Sequence, residues 1–225
     1  MEINIAPAFA FNQSRHLLKH PFYQAWMEGT LTKSTLQDYA KQYYHHVEAF
    51  PGYLEKALTT CSPKSEAQEI LTENLSEEDG SAYGVSHPEL WLRFAEGLGL
   101  SREEVKTIQP RSAVQQVEKT FSDFALQSLP AALGSLYAYE CQVPEVAESK
   151  IEGLKKNYQL QDDRSLAFFE VHRTADIAHR QSLLSLIENL SPAERQEAQQ
   201  AADASAQVLW DFLTDVHQHH RGACA

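Results

Sequence analysis

The segment FFEVHRTADIAHR carries His172, Asp176 and His179 at intervals of four and three residues. If the segment is helical, these positions lie within roughly 60° of one another, because each residue turns a helix by about 100°. Two imidazoles and one carboxylate then point the same way, a ligand set that suits a redox-active metal such as iron or manganese. Arg173 and Arg180 lie close by, so a solvated polar face is the alternative. The spacing alone does not choose between the two interpretations.

A dinuclear metal site needs about six ligands, so other helices would have to supply the rest. Glu140 lies in the apolar and aromatic stretch LGSLYAYECQV, where a buried carboxylate is costly unless it is paired or bound to a cation. His87 begins the helical stretch SHPELW, and ENLSEEDG offers Glu77 and Glu78, which would ordinarily be solvated. The candidate ligand set is Glu78, His87, Glu140, His172, Asp176 and His179.

The amino-acid composition excludes several classes of protein. The chain has 225 residues, 43% of them hydrophobic, and a formal net charge of −12, which argues against nucleic acid or an anionic membrane as a partner. The beginning of the sequence, MEINIAPAFAFNQS, shows no signal-peptide pattern, and no apolar run could span a bilayer. The cysteines Cys61, Cys141 and Cys224 form no CxxC pair. We therefore expect a cytoplasmic protein with reduced thiols.

Apolar residues follow helical periodicity along nearly the whole chain, and no alternating strand pattern is apparent. We expect one all-α domain over residues 1–225, a bundle of about seven main helices. Pro51 should kink or interrupt a long second helix, and Asp163 should cap the helix that carries the metal-binding pattern. Ser191 and Glu194 form a capping-box pattern that predicts the start of the last helix.

Several segments together resemble the heme-oxygenase-like diiron oxidase superfamily. They are HPFYQAW, LTKSTLQDYAKQYYHHVEAFP, ENLSEEDG, SHPELWLRFAEGLGL, LYAYE and FFEVHRTADIAHR. Within it, the chain is most similar to the para-aminobenzoate synthases related to the Chlamydia protein associating with death domains. The family's ligand pattern falls on the candidate set above and favours Glu78 over Glu77. Two relatives share this fold without the metal: the TenA proteins, which use a cysteine nucleophile, and the PqqC oxidases.

The resemblance also implies a reaction and its residues. Such synthases are thought to consume one of their own tyrosines as the aromatic source, with a protein lysine as amine donor. Tyr23 in HPFYQAW matches the consumed residue, with Tyr39 and Tyr43 as the next candidates, and Lys150 matches the lysine. The implied cofactors are two iron ions or a mixed Fe/Mn pair, with O₂ and an external reductant as co-substrates. From the residues alone, Lys150 would be an ordinary solvent-exposed lysine.

Two other functions fit the same sequence. A diiron oxidase could act on an external small molecule, and a metal-free protein could serve only in interactions with other proteins. Metal analysis separates the interaction protein from the two enzymes, and loss of a side chain from the protein separates the two enzymes. We expect a homodimer, and the sequence does not specify the electron donor.

Overall fold

The structure is a computed structural model that describes residues 9–220. Cys224 and the first eight residues of the N-terminal segment therefore lie outside the described part. Within residues 9–220 the regular structure is entirely helical, as expected. The ten α-helices are α1 Pro21–Glu28, α2 Lys33–Leu58, α3 Glu66–Glu78, α4 His87–Gly97, α5 Arg102–Thr107, α6 Ser112–Gln127, α7 Leu129–Glu140, α8 Val143–Asn157, α9 Asp163–Glu188 and α10 Pro192–His219.

The expected number of about seven helices was too low. The short α5 was missed, although Ser101 and Glu104 form a complete capping box at its start. The apolar pattern of residues 11–19 predicts a helix before α1, but the structure has two 3₁₀ turns there, Gln13–Arg15 and Leu17–Lys19. The helix α2 continues through Pro51 to Leu58, so the proline does not end it.

Short polar side chains set the helix starts on which the candidate site depends. Ser86 caps α4 by accepting a hydrogen bond from the backbone N–H of Glu89, so His87 is the first helical residue and not the cap. Asp162, and not Asp163, caps α9 through the backbone N–H of Ser165. The capping box of Ser191 and Glu194 at the start of α10 is confirmed.

The helix α7 lies at the centre of the molecule, and from Pro130 to Glu140 every one of its residues is buried. It packs against α6, α9 and α10. A Cβ on Gly134 would lie 2.0 Å from the carbonyl oxygen of Ala198, so the backbones of α7 and α10 approach closely here. The helix α9 packs against α3, α4, α7 and α8, the elements that surround the candidate site. Within residues 9–220, none of the helices is long and apolar enough to cross a membrane.

Candidate metal centre and lysine pocket

The helix α9 turns its metal-binding pattern towards the protein interior. His172 and Asp176 are each only 2% exposed, and His179 is half-buried. Arg173, beside His172 in sequence, is exposed and pairs with Glu170 at 2.7 Å. The alternative of a solvated polar face is therefore wrong for His172 and Asp176.

Glu78, His87 and His172 form the first candidate group, with ligand atoms within 4.8 Å of one another. Glu78 Oε2 lies 2.7 Å from His87 Nδ1, and Glu78 Oε1 lies 4.0 Å from His172 Nε2. His172 Nδ1 is 2.6 Å from the carbonyl oxygen of Phe168, which can only accept a hydrogen bond. His172 therefore carries its proton on Nδ1, and its Nε2 is free to bind a metal. Burial also lowers the pKa of His172, which keeps the imidazole neutral.

Glu140, Asp176 and His179 form the second candidate group. His179 Nδ1 lies 3.7 Å from Glu140 Oε2 and 3.7 Å from Asp176 Oδ1. Asn74 on α3 donates a hydrogen bond of 2.7 Å to the other carboxylate oxygen, Glu140 Oε1. Burial lowers the pKa of His179, but the neighbouring carboxylates of Asp176, Glu140 and Glu77 outweigh it and raise the pKa to about 9.

The buried carboxylates lack partners of the kind that usually stabilise them. Glu140 Oε2 and Asp176 Oδ2 are buried without a hydrogen-bond partner among residues 9–220. Burial raises the pKa of Glu140 to about 8 and that of Asp176 to about 6. A buried carboxylate in this state is stabilised by a bound cation. With three carboxylates and three imidazoles, the two candidate groups fit two ions of iron or manganese.

Lys150 lies in a second buried cluster beside the first candidate group. Its side chain belongs to α8, is only 4% exposed and donates a hydrogen bond of 2.7 Å to Tyr39 Oη. Its amine lies 5.5 Å from the ring centroid of Tyr23, 5.0 Å from that of Tyr39 and 5.4 Å from that of Tyr43. We call Lys150 with these three tyrosines the lysine pocket. Burial lowers the pKa of the Lys150 amine to about 7.

A small cavity joins the lysine pocket to the first candidate group. Its volume is about 20 Å³, and Tyr23, Tyr43, Lys150 and His172 are among the residues that line it. The volume is close to what one water molecule needs. The tyrosine rings and the amine therefore face an imidazole of the candidate metal site with little space between them.

A family model described as iron-containing redox enzyme matches residues 37–210 of this chain. The chain belongs to this family. All six candidate ligands and Lys150 fall within the matched residues, whereas Tyr23 precedes them. The protein is therefore an enzyme of the iron-containing redox enzyme family, and its fold is the heme-oxygenase-like bundle that the sequence predicted.

Individual relatives of this family agree with the match. The chain is 38% identical to a 4-aminobenzoate synthase of Chlamydia muridarum, over 91% of this chain and 86% of the relative. It is 37% identical to a 4-aminobenzoate synthase of Nitrosomonas europaea, over 92% of this chain and 88% of the relative. A TenA homologue from Pseudomonas syringae has the same fold, with a TM-score of 0.77 and 18% identity, covering 91% of this chain and 87% of its own.

The sequence did not indicate Asn74 as a site residue, and it offered Glu77 only as an alternative ligand to Glu78. Asn74, which contacts Glu140, lies one turn before Glu78 on α3, and Glu77 contacts His179. The interval of four residues between Asn74 and Glu78 is a usable signal, because such positions share a helix face. The polar residues that flank Lys150 in sequence gave no indication that its side chain is buried.

Cys141 is buried, and burial raises the pKa of its thiol. A thiol in such surroundings is unlike an activated nucleophile.

Proposed function

We propose that this enzyme makes 4-aminobenzoate from its own side chains, with Tyr23 as the source of the ring and Lys150 as the source of nitrogen. The observation that carries the proposal is the burial of the Lys150 amine among tyrosines beside the candidate metal site. A lysine without a carboxylate partner is rare in such an environment unless its amine has a chemical role. Two bacterial relatives are named 4-aminobenzoate synthase, which supports 4-aminobenzoate as the product.

Tyrosine has the substitution pattern that the product needs. Its Cβ and its phenol oxygen are para to one another, as are the carboxyl and amino groups of 4-aminobenzoate. The Cα–Cβ bond must break, and Cβ must be oxidised to a carboxyl carbon. Nitrogen must replace the phenol oxygen, which leaves as water, and the Cε–Nζ bond of Lys150 must break, which leaves Cε as an aldehyde after hydrolysis. Glu78, His87, Glu140, His172, Asp176 and His179 would hold the metal, which would supply oxidation by O₂, with an external reductant providing the remaining electrons.

The residues of the lysine pocket hold and shield the reacting groups. Because burial lowers the pKa of Lys150 to about 7, much of the amine is neutral and has a free electron pair near neutral pH. The hydrogen bond to Tyr39 fixes the position of that amine. Phe22 and Trp26 are fully buried beside Tyr23 and keep solvent from its ring. A cavity of about 20 Å³ leaves no room for a second aromatic substrate.

Among the tyrosines, the cavity favours Tyr23 and Tyr43 over Tyr39, and the resemblance to the synthases favours Tyr23 as the consumed residue, with Tyr39 and Tyr43 as alternatives. Tyr23 and Tyr43 line the cavity that reaches His172, whereas Tyr39 is not among its lining residues. Tyr39 instead contacts the amine directly, and its hydroxyl lies 3.4 Å from that of Tyr23. We assign Tyr39 the role of positioning Lys150 next to the Tyr23 ring.

The test uses protein that contains ring-¹³C-labelled tyrosine and ε-¹⁵N-labelled lysine. After iron, reductant and O₂ are added, 4-aminobenzoate should carry both labels, and the intact mass of the protein should fall. Tyr23→Phe and Lys150→Arg should keep their iron but form no product, since the first lacks the phenol and the second lacks a primary amine.

Tyr44→Phe is the matched control, because Tyr44 is a buried tyrosine whose hydroxyl donates to Glu48 outside the lysine pocket. Wild-type yield from Tyr23→Phe would move the assignment to Tyr39 or Tyr43. Unlabelled product, or several turnovers per chain with an added substrate, would contradict self-sacrifice. An external substrate would then have a place in the groove of about 510 Å³ between α3 and α9, which is lined by Glu77 and His179.

A further inference from the structure

The helix α3 meets the candidate metal site with three polar residues on one face. Glu77 and Glu78 lie three and four residues after Asn74, so they flank it on either side, whereas the two adjacent glutamates diverge by about 100°. Glu78 reaches His87 and His172, and Asn74 donates to Glu140. Glu77 makes a different contact: its Oε2 lies 3.3 Å from His179 Nε2.

The two ring nitrogens of His179 face different surroundings. Nδ1 faces Glu140 and Asp176, each at 3.7 Å, and each carboxylate has one buried oxygen atom without a hydrogen-bond partner in the described part of the chain. Nε2 faces Glu77, whose side chain is 14% exposed at the edge of the groove between α3 and α9. A neutral imidazole that binds a metal through one nitrogen carries its hydrogen on the other and needs an acceptor there.

We propose that Glu77 is a positioning residue that accepts a hydrogen bond from His179 Nε2 and so directs Nδ1 towards the metal, whereas Glu78 is itself a ligand. The inference rests on the metal site of the proposed function, but it does not depend on what the enzyme makes. It separates the roles of two adjacent glutamates that the sequence leaves as alternatives. A carboxylate behind a ligating histidine fixes the orientation of the ring and makes the nitrogen a better ligand.

The experiment measures Fe(II) binding to the metal-free full chain without O₂, by competition with a chromogenic chelator. Glu77→Met removes the acceptor at similar side-chain size, and we expect both irons to bind at saturation with one of them about 10- to 100-fold weaker. Glu77→Gln keeps a neutral acceptor and should restore most of the affinity. Glu78→Ala, which lacks a ligand, should lose an iron even at saturation. Glu73→Met is the matched control, because Glu73 is an exposed glutamate of α3 that lines the same groove.

Three outcomes would overturn the assignment. Wild-type affinity in Glu77→Met would make Glu77 a solvated neighbour. Loss of a whole iron in that variant, as in Glu78→Ala, would make Glu77 a ligand. Equal weakening in Glu77→Met and Glu77→Gln would mean that the charge of Glu77 matters and its hydrogen bond does not.

Two further measurements separate the role of Glu77 from an effect on stability and from the proposed function. The unfolding midpoint of the metal-free protein should be similar for Glu77→Met and Glu77→Gln, because both variants lose the same ion pair with His179. A difference in iron affinity between the two then comes from the hydrogen bond. If the wild-type chain binds iron but releases no 4-aminobenzoate, the role of Glu77 stands and the proposed function fails. If the wild-type chain binds no iron, the metal site itself is wrong and the assignment of Glu77 falls with it.

Discussion

At the scale of single residues, the lysine pocket is a place where chemistry and stability conflict. Lys150 is surrounded by the rings of Tyr23, Tyr39 and Tyr43, and its amine donates a hydrogen bond to the phenol oxygen of Tyr39. A buried ammonium in such surroundings is costly, and proteins accept such costs mainly at functional sites.

Replacing Lys150 by Met should therefore stabilise the metal-free protein while abolishing product. The pKa of the amine falls from 10.5 to about 7 on folding. At about 1.4 kcal/mol per pKa unit, the full shift corresponds to a cost of about 5 kcal/mol, and relaxation will reduce the measured gain to about 1–2 kcal/mol. The cost is fully present below pH 7 and declines as the pH rises towards 10.5, because the Lys150 amine loses its proton at a lower pH in the folded state than in the unfolded state.

Urea unfolding at pH 7 and pH 9.5 measures this difference, and the advantage of Lys150→Met should be larger at pH 7. Lys156→Met is the control, since Lys156 is an exposed lysine on the same helix. A gain of equal size at both pH values would show that packing, and not the buried charge, explains it.

The metal-binding pattern was visible in the sequence because it depends on local geometry. His172, Asp176 and His179 share one face of one helix, and the apolar flanks of Glu140 predicted its burial. Lys150 lies among Glu148, Ser149 and Glu152, a polar context that predicts exposure. Its burial depends on how α1 packs against α8, which is a property of the fold and not of the local sequence.

At the scale of elements, a glycine permits the contact that completes the lysine pocket. A Cβ on Gly153 of α8 would lie 2.5 Å from Trp26 Cδ1 of α1. Trp26 also donates a hydrogen bond of 3.3 Å from Nε1 to the backbone carbonyl of Lys150. The close approach of α1 to α8 therefore places Tyr23, one turn before Trp26, against the Lys150 amine.

Gly153→Ala should push α1 away from α8 and reduce the yield of 4-aminobenzoate while leaving iron content unchanged. We expect a loss of about 1–3 kcal/mol in the free energy of unfolding, the usual cost of overpacking. Gly52→Ala is the matched control, because a Cβ at Gly52 within α2 meets nothing within 4 Å. That change should be neutral or should stabilise the protein by about 0.4–1 kcal/mol. Equal product from the two variants would contradict the role of the Gly153 contact.

At the same scale, the sequence pattern around Pro51 in α2 differs from the structure. Pro51 predicts an interruption of α2, since it cannot donate to the carbonyl four residues earlier. The helix continues because Val47, Phe50 and Leu54 on both sides of the proline are buried in the same core. Tertiary packing thus outweighs a local signal that would otherwise end the helix.

At the scale of the whole molecule, the candidate metal site connects four helices. Glu78 ends α3, His87 begins α4, Glu140 ends α7, and α9 supplies the remaining three side chains. The all-α class followed from periodicity alone. The meeting of these helix ends did not, because it depends on contacts between residues as distant in sequence as Glu78 and His172.

A metal bound there should stabilise the entire bundle. At a free-metal concentration 100-fold above the dissociation constant, binding contributes about 2.7 kcal/mol, which corresponds to a rise of roughly 5–10 °C in the unfolding midpoint. The increase should be larger at pH 8 than at pH 6. Burial raises the pKa of Glu140 to about 8, and the carboxylates around His179 raise its pKa to about 9, so metal must displace protons from both at lower pH.

Thermal unfolding of the metal-free chain with and without Mn(II) at the two pH values tests this linkage. Glu140→Gln should show a smaller rise and a weaker dependence on pH, because an amide has no proton to release and is a poorer ligand for the cation. Mg(II) is a suitable control ion, since it prefers oxygen ligands and octahedral geometry over a site half composed of imidazoles. If Mn(II) raised the midpoint equally at pH 6 and pH 8, or equally in Glu140→Gln, the ion would bind elsewhere. The prediction that a metal links α3, α4, α7 and α9 would then be wrong.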